Sequence, residues 1–156
     1  MPRLDQEQSP YTLIERYGSS LAHLGLLVIG LPLTVVLLPI PFSLAPCPVV
    51  AYLIARYFRR RNLVWGAAQG IQASAVQVLI VLIASLTVLT NMPATIDLTM
   101  NTAAFLLFLY TLWAALDTLL GYNFHYILIG NAVRRVSEAN LSRQERRRNW
   151  SGRRRG

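Results

Sequence analysis

Four polar side chains interrupt long apolar stretches of this chain: His23, Gln69, Gln72 and Asp117. Polar groups inside a membrane segment are costly and are functional candidates by default. An imidazole and a carboxylate can exchange a proton, and glutamine amides both donate and accept hydrogen bonds. These residues could therefore line a path for a proton or a polar segment. His23 and Asp117 could also form an acid–base pair.

Each of these side chains also has a structural explanation. Asp117 lies near enough to the end of its apolar stretch to pair with Arg56, Arg59 or Arg134. His23 is typical of a neutral histidine that bonds between helices, and glutamines join helices at about 0.6 kcal/mol per bond. The chain has no metal-ligand spacing, nucleophile motif or glycine-rich phosphate loop. We therefore expect no enzyme and no cofactor.

The spacing of the charges predicts the elements that hold these residues. The chain has 156 residues, of which 54% are hydrophobic and 14% charged, whereas about 25% are charged in a typical soluble domain. No charged residue occurs from 17 to 55, from 62 to 96, or between Asp97 and Asp117. A membrane-crossing helix needs about 20 apolar residues and satisfies its backbone internally. These gaps therefore predict an all-α integral membrane bundle.

The first gap is long enough for two crossings. Its 39 residues (17 to 55) would extend roughly 58 Å as one helix, nearly twice a ~30 Å hydrocarbon core. The prolines between 39 and 48 predict a turn near 39–46, and Pro32 predicts a kink in the first span. The second span either crosses fully or is re-entrant. We expect four transmembrane helices, at about 19–38, 47–58, 63–89 and 100–121.

The arginines predict how this bundle is oriented. All 15 basic residues are arginine, and four spans would put every one of them on the same side of the membrane, whereas three spans would divide them 13 to 2. The positive-inside rule therefore favours four spans in a bacterial plasma membrane, with both termini in the cytoplasm. The four polar residues would then share the cytoplasmic half. This depth predicts a shallow vestibule that opens to the cytoplasm.

Two terminal segments flank the membrane domain at 19–121, an N-terminus of mixed charge and a basic C-terminal tail. We expect residues 1–18 to form a cytoplasmic N-terminus. Ser9-Pro10 is typical of a helix start, with serine as N-cap and proline at the first position, and predicts a short interfacial helix there. Residues 122–156 predict an Arg-rich cytoplasmic tail, disordered past about residue 145 because apolar side chains are scarce there. The arginines would bind anionic lipid headgroups or a protein partner, with nucleic acid or the ribosome as a weaker alternative. The docking candidates are Arg59, Arg60, Arg61, Arg146, Arg147, Arg148, Arg153, Arg154 and Arg155.

Small residues form one face at the start of the third span. Gly66 and Gly70 make a GxxxG motif, and Ala73 extends it by one turn. Such a face lets two helix backbones approach closely. It favours tight packing within the bundle as readily as contact with a neighbouring chain.

Four short motifs together resemble a known family. They are Leu21-Ala-His23-Leu, Val50-Ala-Tyr52-Leu-Ile-Ala-Arg56, Trp65-Gly-Ala-Ala-Gln69-Gly and Gly121-Tyr-Asn-Phe-His-Tyr126. The pattern, over roughly 12–136, resembles a bacterial family of small uncharacterised four-helix membrane proteins. That family is similar to the channel-like subunit of the chloroplast Tic translocon. His23 and Gln69 match the family's histidine and glutamine, whereas a second histidine before the glutamine and a late proline are absent here. The resemblance implies a non-enzymatic four-span protein.

These observations lead to one functional expectation and one alternative. We expect a non-catalytic multi-pass protein that acts by contact, as an accessory, assembly or translocation-associated subunit of a larger membrane complex. The alternative is a channel or transporter for a small solute, proton or peptide that uses the four polar residues. Because four spans of a 156-residue chain enclose little space, the alternative requires a homo-oligomer.

Overall fold

The computed structural model describes residues 11–36, 40–90 and 92–126. This part of the chain is helical and contains no strand, so the expected all-helical fold is confirmed for it. Its elements are α1 (Leu13–His23), a π-helical turn (Leu26–Gly30), α2 (Leu31–Val36), α3 (Pro46–Arg60), α4 (Val64–Leu89) and α5 (Ala94–Leu120). The described part of the basic tail ends at Tyr126.

Two of these helices, α4 and α5, are long and apolar enough to cross a membrane. Helix α1 and the segment Leu26–Val36 also pass this test as a pair, but the two are bent by 56°. Helix α3 has 15 residues, or about 22 Å at 1.5 Å per residue, which is shorter than a ~30 Å hydrocarbon core. The described part of the chain thus has two candidate spans, or three if the bent pair crosses as one.

The first helix differs from its predicted form. Helix α1 begins at Leu13 behind a capping box, in which Thr12 accepts from the backbone of Glu15 and the Glu15 carboxylate accepts from the backbone of Thr12. The predicted start at Ser9-Pro10 lies outside the described residues. The bend precedes Pro32 and falls at 24–25, followed by the π-helical turn. An interruption of the i→i−4 ladder is a common cause of such bends.

Helix α5 starts six residues earlier than the fourth predicted span. It begins at Ala94, directly after Pro93, so that Asp97 lies in its first turn. A carboxylate there is stabilised by the helix dipole, which explains how the helix includes a charge that the prediction excluded. The helix ends at Gly121, whose φ of 86° is the left-handed conformation expected of a glycine cap. Arg16 donates from Nε to the Leu119 carbonyl at 2.8 Å and ties α1 to this end.

The closest helix packing joins α3 to the first half of α4. The ring of Phe58 lies against Gly66 on α4 and against Gly18 on α1, and it is 2% exposed. One turn further, a Cβ on Gly70 would lie 2.9 Å from the Ala55 Cβ and 3.0 Å from its Cα. The small-residue face of α4 is therefore covered by α3 of the same chain. It is not free to pack against a neighbouring chain.

Substituting Gly70 by alanine tests this close approach. Helix propensity alone would stabilise the protein by about 1 kcal/mol. The added methyl group, however, would meet the backbone of α3, and overpacking typically costs 1–3 kcal/mol. We expect Gly70→Ala to lower the thermal unfolding temperature in detergent, whereas Val78→Ala, at an exposed position of the same helix, should change it little. A rise in stability for Gly70→Ala would contradict the observed packing.

Burial is confined to one half of the α4–α5 hairpin. The buried residues of α4 end at Ile80, and those of α5 begin at Thr111. Among the described residues from 81 to 110, none is buried. Helix α3 and the bent first segment (residues 13–36) leave every described residue of this distal half at least partly exposed. The hairpin therefore extends about three turns of α4 and five of α5 beyond the packed core.

Candidate functional site

A buried polar network joins α1, α4 and the segment that follows α5. The His23 Nδ1 atom lies 3.0 Å from the Tyr126 hydroxyl, and its Nε2 atom lies 3.4 Å from the Gln69 Oε1 atom. The Tyr126 backbone N–H donates to the Gln72 Oε1 atom at 3.3 Å. The side chains of His23, Gln69, Gln72 and Tyr126 are between 0% and 3% exposed. The structure thus brings together three of the four polar residues singled out in the sequence.

The hydrogen bonds around Gln69 determine which groups donate and which groups accept in the rest of the network. Its Nε2 atom donates to the Phe124 carbonyl at 2.9 Å and approaches the Asn123 Oδ1 atom at 3.4 Å. The Oε1 atom therefore faces His23 and requires a proton on the imidazole Nε2. The Nδ1 atom is then free to accept the hydroxyl proton of Tyr126. Every one of these buried polar atoms has a partner, as buried polar groups require.

Gln77 accounts for the position of the bend in the first segment. Its Nε2 atom donates to the Ala22 carbonyl at 2.8 Å, at the point where α1 ends. A Cβ on Gly25 would lie 2.9 Å from that same Nε2 atom, so a larger residue there would require the amide to shift. The Gln77 Oε1 atom has no partner among the described residues. A buried glutamine on α4 therefore compensates a carbonyl that the broken helix leaves open.

An aromatic cluster encloses the network on the α5 side. The rings of Tyr110, Phe124 and Tyr126 lie 5.0–5.2 Å apart in edge-to-face pairs. This geometry is the favoured one for aromatic pairs and adds about 0.5–1.5 kcal/mol for each beyond burial. The residues from Gly121 to Tyr126 are thereby held against the bundle.

The network differs from the predicted open vestibule. The His23 side chain is 0% exposed, and neither of the two surface cavities described below reaches it, Gln69 or Gln72. Asp117 is half-buried on α5, and in the described part of the chain no hydrogen bond or ion pair joins its carboxylate to these residues. Buried and fully bonded, the network is suited to fastening helices together.

The expected pairing of Asp117 with Arg56 or Arg59 is also wrong. Those arginines lie on α3, which packs on α4 and α1, whereas Asp117 lies on α5. No ion pair links them within the ranges that the structure covers. The third candidate partner, Arg134, lies outside the described residues.

An apolar groove runs along the unpacked half of the α4–α5 hairpin. It has a volume of about 740 Å³ and is bounded by the first segment, the turn before α3, α4 and α5. Asp97 is the charged residue in its lining, and Asn101 lies one turn further along α5. The apolar lining residues are Leu26, Leu27, Leu31, Ile40, Leu44, Ile80, Ala84, Val88, Ala104, Phe105 and Phe108.

A smaller basic pocket lies between α3 and α4 at the other end of the molecule. It has a volume of about 300 Å³ and is lined by Arg56, Arg59 and Arg60 together with Tyr52, Ala55 and Ile71. Arg61 does not line it, because its guanidinium lies over the Tyr57 ring at 5.2 Å. The six tail candidates from Arg146 to Arg155 lie outside the described residues.

The described residues hold no group of three or more His, Cys, Asp or Glu side chains that could bind a metal ion. Cys47 is free and buried. Tyr126 is a member of the polar network that the sequence did not predict. Gln77, which bonds separately to the Ala22 carbonyl, was not singled out either. The available signal was the concentration of amide and aromatic residues in the short segment directly after Gly121.

Comparisons with protein-family models, with curated proteins and with solved structures find no match for this chain.

Proposed function

We propose that this chain is a non-catalytic membrane protein that acts by contact, as an accessory or assembly subunit of a larger membrane complex. The observation that carries the proposal is the apolar groove on the unpacked half of the α4–α5 hairpin. Its occupant would be a membrane-spanning helix of a partner protein. Concave apolar sites between the helices of a bundle are typical places for binding.

The dimensions and charge of the groove support a helix as its occupant. A volume of about 740 Å³ is too small for a whole helix but fits the side chains along one helix face, as in helix-in-groove recognition. Asp97 lies at one end of the groove, in the first turn of α5. A basic or hydrogen-bond-donating residue near the end of the partner helix would complement it, since intramembrane charges pair with one another.

The buried network supports this function indirectly. It joins α1, α4 and the segment after α5, because His23 bonds to both Tyr126 and Gln69, and Gln69 also bonds to Phe124. A rigid packed end would hold α4 and α5 at a fixed separation, so that the groove is preformed. Preformed binding sites lose less conformational entropy on association.

The proposed topology has four spans, with both termini in the cytoplasm of a bacterial cell. Four spans would put all 15 arginines on one side of the membrane, as the positive-inside rule favours, and this supports the proposed topology. In this arrangement the bent first segment and the short α3 would enter the membrane beside α4 and α5. It agrees with the resemblance to the four-helix family similar to the Tic subunit, and we retain that relationship as part of the proposal.

The channel or transporter alternative has less support. His23, Gln69 and Gln72 are buried and bonded to protein groups, and Asp117 lies apart from them. A conducting path through these residues would need the network to open. Proton or solute flux in liposomes that is lost in Gln72→Leu but retained in Ala104→Trp would favour this alternative.

Filling the groove tests the proposal. Ala104 lines the groove, whereas Leu106 is 59% exposed and faces away from it. We expect Ala104→Trp to reduce recovery of a crosslinked partner complex from native membranes at least about tenfold, equivalent to 1.4 kcal/mol. Leu106→Trp should leave recovery unchanged.

Two outcomes would count against the proposal. One is equal recovery for Ala104→Trp and Leu106→Trp. The other is a wild-type protein that runs as a monomer in mild detergent and retains no partner after crosslinking.

A further inference from the structure

The basic pocket between α3 and α4 has the composition of a site for a phosphate group. Arg56, Arg59 and Arg60 are spaced i, i+3 and i+4, so their side chains share one face of α3. Guanidinium groups match phosphate oxygens with two parallel hydrogen bonds. None of the three acidic residues in the described ranges lines the pocket.

The rest of the pocket lining favours a lipid over a soluble anion. Tyr52, Ala55 and Ile71 complete the lining beside the three arginines. Ile71 belongs to α4, a candidate membrane span that begins at Val64. A lipid would fit both surfaces at once, with its phosphate among the arginines and its glycerol and upper acyl carbons along Ile71.

The number of arginines indicates the charge of that lipid. A single phosphodiester carries one negative charge, and three guanidinium groups line the pocket. A headgroup with two phosphates would occupy more of the available donors. Basic pockets between helices at the cytoplasmic surface are known to bind such headgroups.

We propose that the pocket formed by Arg56, Arg59 and Arg60 binds one anionic phospholipid with two phosphates in its headgroup, such as diphosphatidylglycerol. This site is independent of the apolar groove, which lies against the other half of α4. It goes beyond a general attraction of basic residues to the membrane surface, because it assigns the lipid to particular arginines.

Arg61 provides a matched control within the same helix end. It carries the same charge one position after Arg60, but its guanidinium lies over the Tyr57 ring outside the pocket. A diffuse electrostatic attraction would depend equally on all four arginines. A defined pocket depends on Arg59 and Arg60 and not on Arg61.

Native mass spectrometry of the full-length protein tests the site. The protein is released from phosphatidylcholine nanodiscs that contain equal small fractions of diphosphatidylglycerol and phosphatidylglycerol. We expect wild-type protein to retain one diphosphatidylglycerol molecule. Arg59→Gln and Arg60→Gln should each lower the retained fraction about fivefold, and Arg61→Gln less than about twofold.

A second variant separates hydrogen bonding from charge. Arg59→Lys keeps the charge but loses the planar fork, so we expect retention between that of wild type and Arg59→Gln. The substituted side chains are exposed, so the variants should fold, which their thermal unfolding in detergent will verify.

Four results would overturn the proposal. Equal losses for Arg61→Gln and Arg59→Gln would indicate a diffuse basic surface. Equal retention of phosphatidylglycerol would contradict the assignment to a two-phosphate lipid. Displacement of the lipid by inorganic phosphate would indicate a soluble anion as the ligand. Co-purified RNA in place of lipid would indicate a nucleic-acid contact.

Discussion

Phe58→Ala is expected to destabilise the protein by about 3 kcal/mol, the lower end of the range for a buried phenylalanine. The ring is 2% exposed and fits between Gly18 and Gly66, so it joins three helices at one point. The lower value is appropriate because lipid already solvates apolar groups in the unfolded reference state. For a chain of this size the loss corresponds to a fall of roughly 6 to 12 °C in Tm. Thermal unfolding in detergent measures it.

Tyr57→Ala is the matched control for this prediction. Tyr57 is the preceding residue of α3 and is 47% exposed. Its truncation should cost less than about 0.5 kcal/mol. If the two variants unfold at the same temperature, Phe58 does not hold α1, α3 and α4 together as the structure indicates.

His23→Leu is the second change with a large expected effect. It leaves the Gln69 Oε1 atom and the Tyr126 hydroxyl without their partner in a buried position. Each unsatisfied buried group costs about 1–3 kcal/mol. We therefore expect a loss of about 2–6 kcal/mol, measured by unfolding in detergent. His125→Leu, at the exposed second histidine, should have little effect.

The double variant His23→Leu/Tyr126→Phe makes this prediction specific to hydrogen bonding. Removing the Tyr126 hydroxyl from the His23→Leu background removes one of the two unsatisfied groups, so the double variant should be more stable than His23→Leu. Simple loss of packing would make it equally or less stable. Additive effects of the two substitutions would contradict the network.

The long apolar helices could be predicted because their signal is local. The uncharged run from 62 to 96 contains nearly all of α4, and the predicted third span, 63–89, differs from Val64–Leu89 by one residue. The stop at Gly121 follows from backbone preference at a helix end. The GxxxG motif predicted a close approach but not its partner, because the sequence of α4 does not show which helix covers it.

The bend and the membership of the polar network could not be predicted, because both depend on contacts between distant residues. The bend at 24–25 depends on Gln77, more than 50 positions away, which bonds to the Ala22 carbonyl. Tyr126 joins His23 because the chain folds back after α5. Asp117 was expected near His23 because the two lie at similar depth along their helices. Depth alone does not specify which face of α5 carries Asp117.

The uneven burial of the hairpin connects the fold to the proposed function. Short elements cover α4 only as far as Ile80 and α5 only from Thr111 onward. The remaining length exposes many large apolar side chains, and part of its surface forms the groove. A chain whose own helices leave a preformed groove is suited to bind a helix from another protein.

Photo-crosslinking within the native membrane tests whether the groove receives a partner helix. A benzophenone amino acid replaces Phe105 in one variant and Leu106 in another. Both positions are 59% exposed and adjacent in depth, but of the two only Phe105 lines the groove. We expect one discrete protein adduct from position 105, mapped to an apolar membrane span of the partner, and only lipid adducts from position 106. Identical lipid adducts from both positions, or an adduct of position 105 with a second copy of this chain, would contradict it.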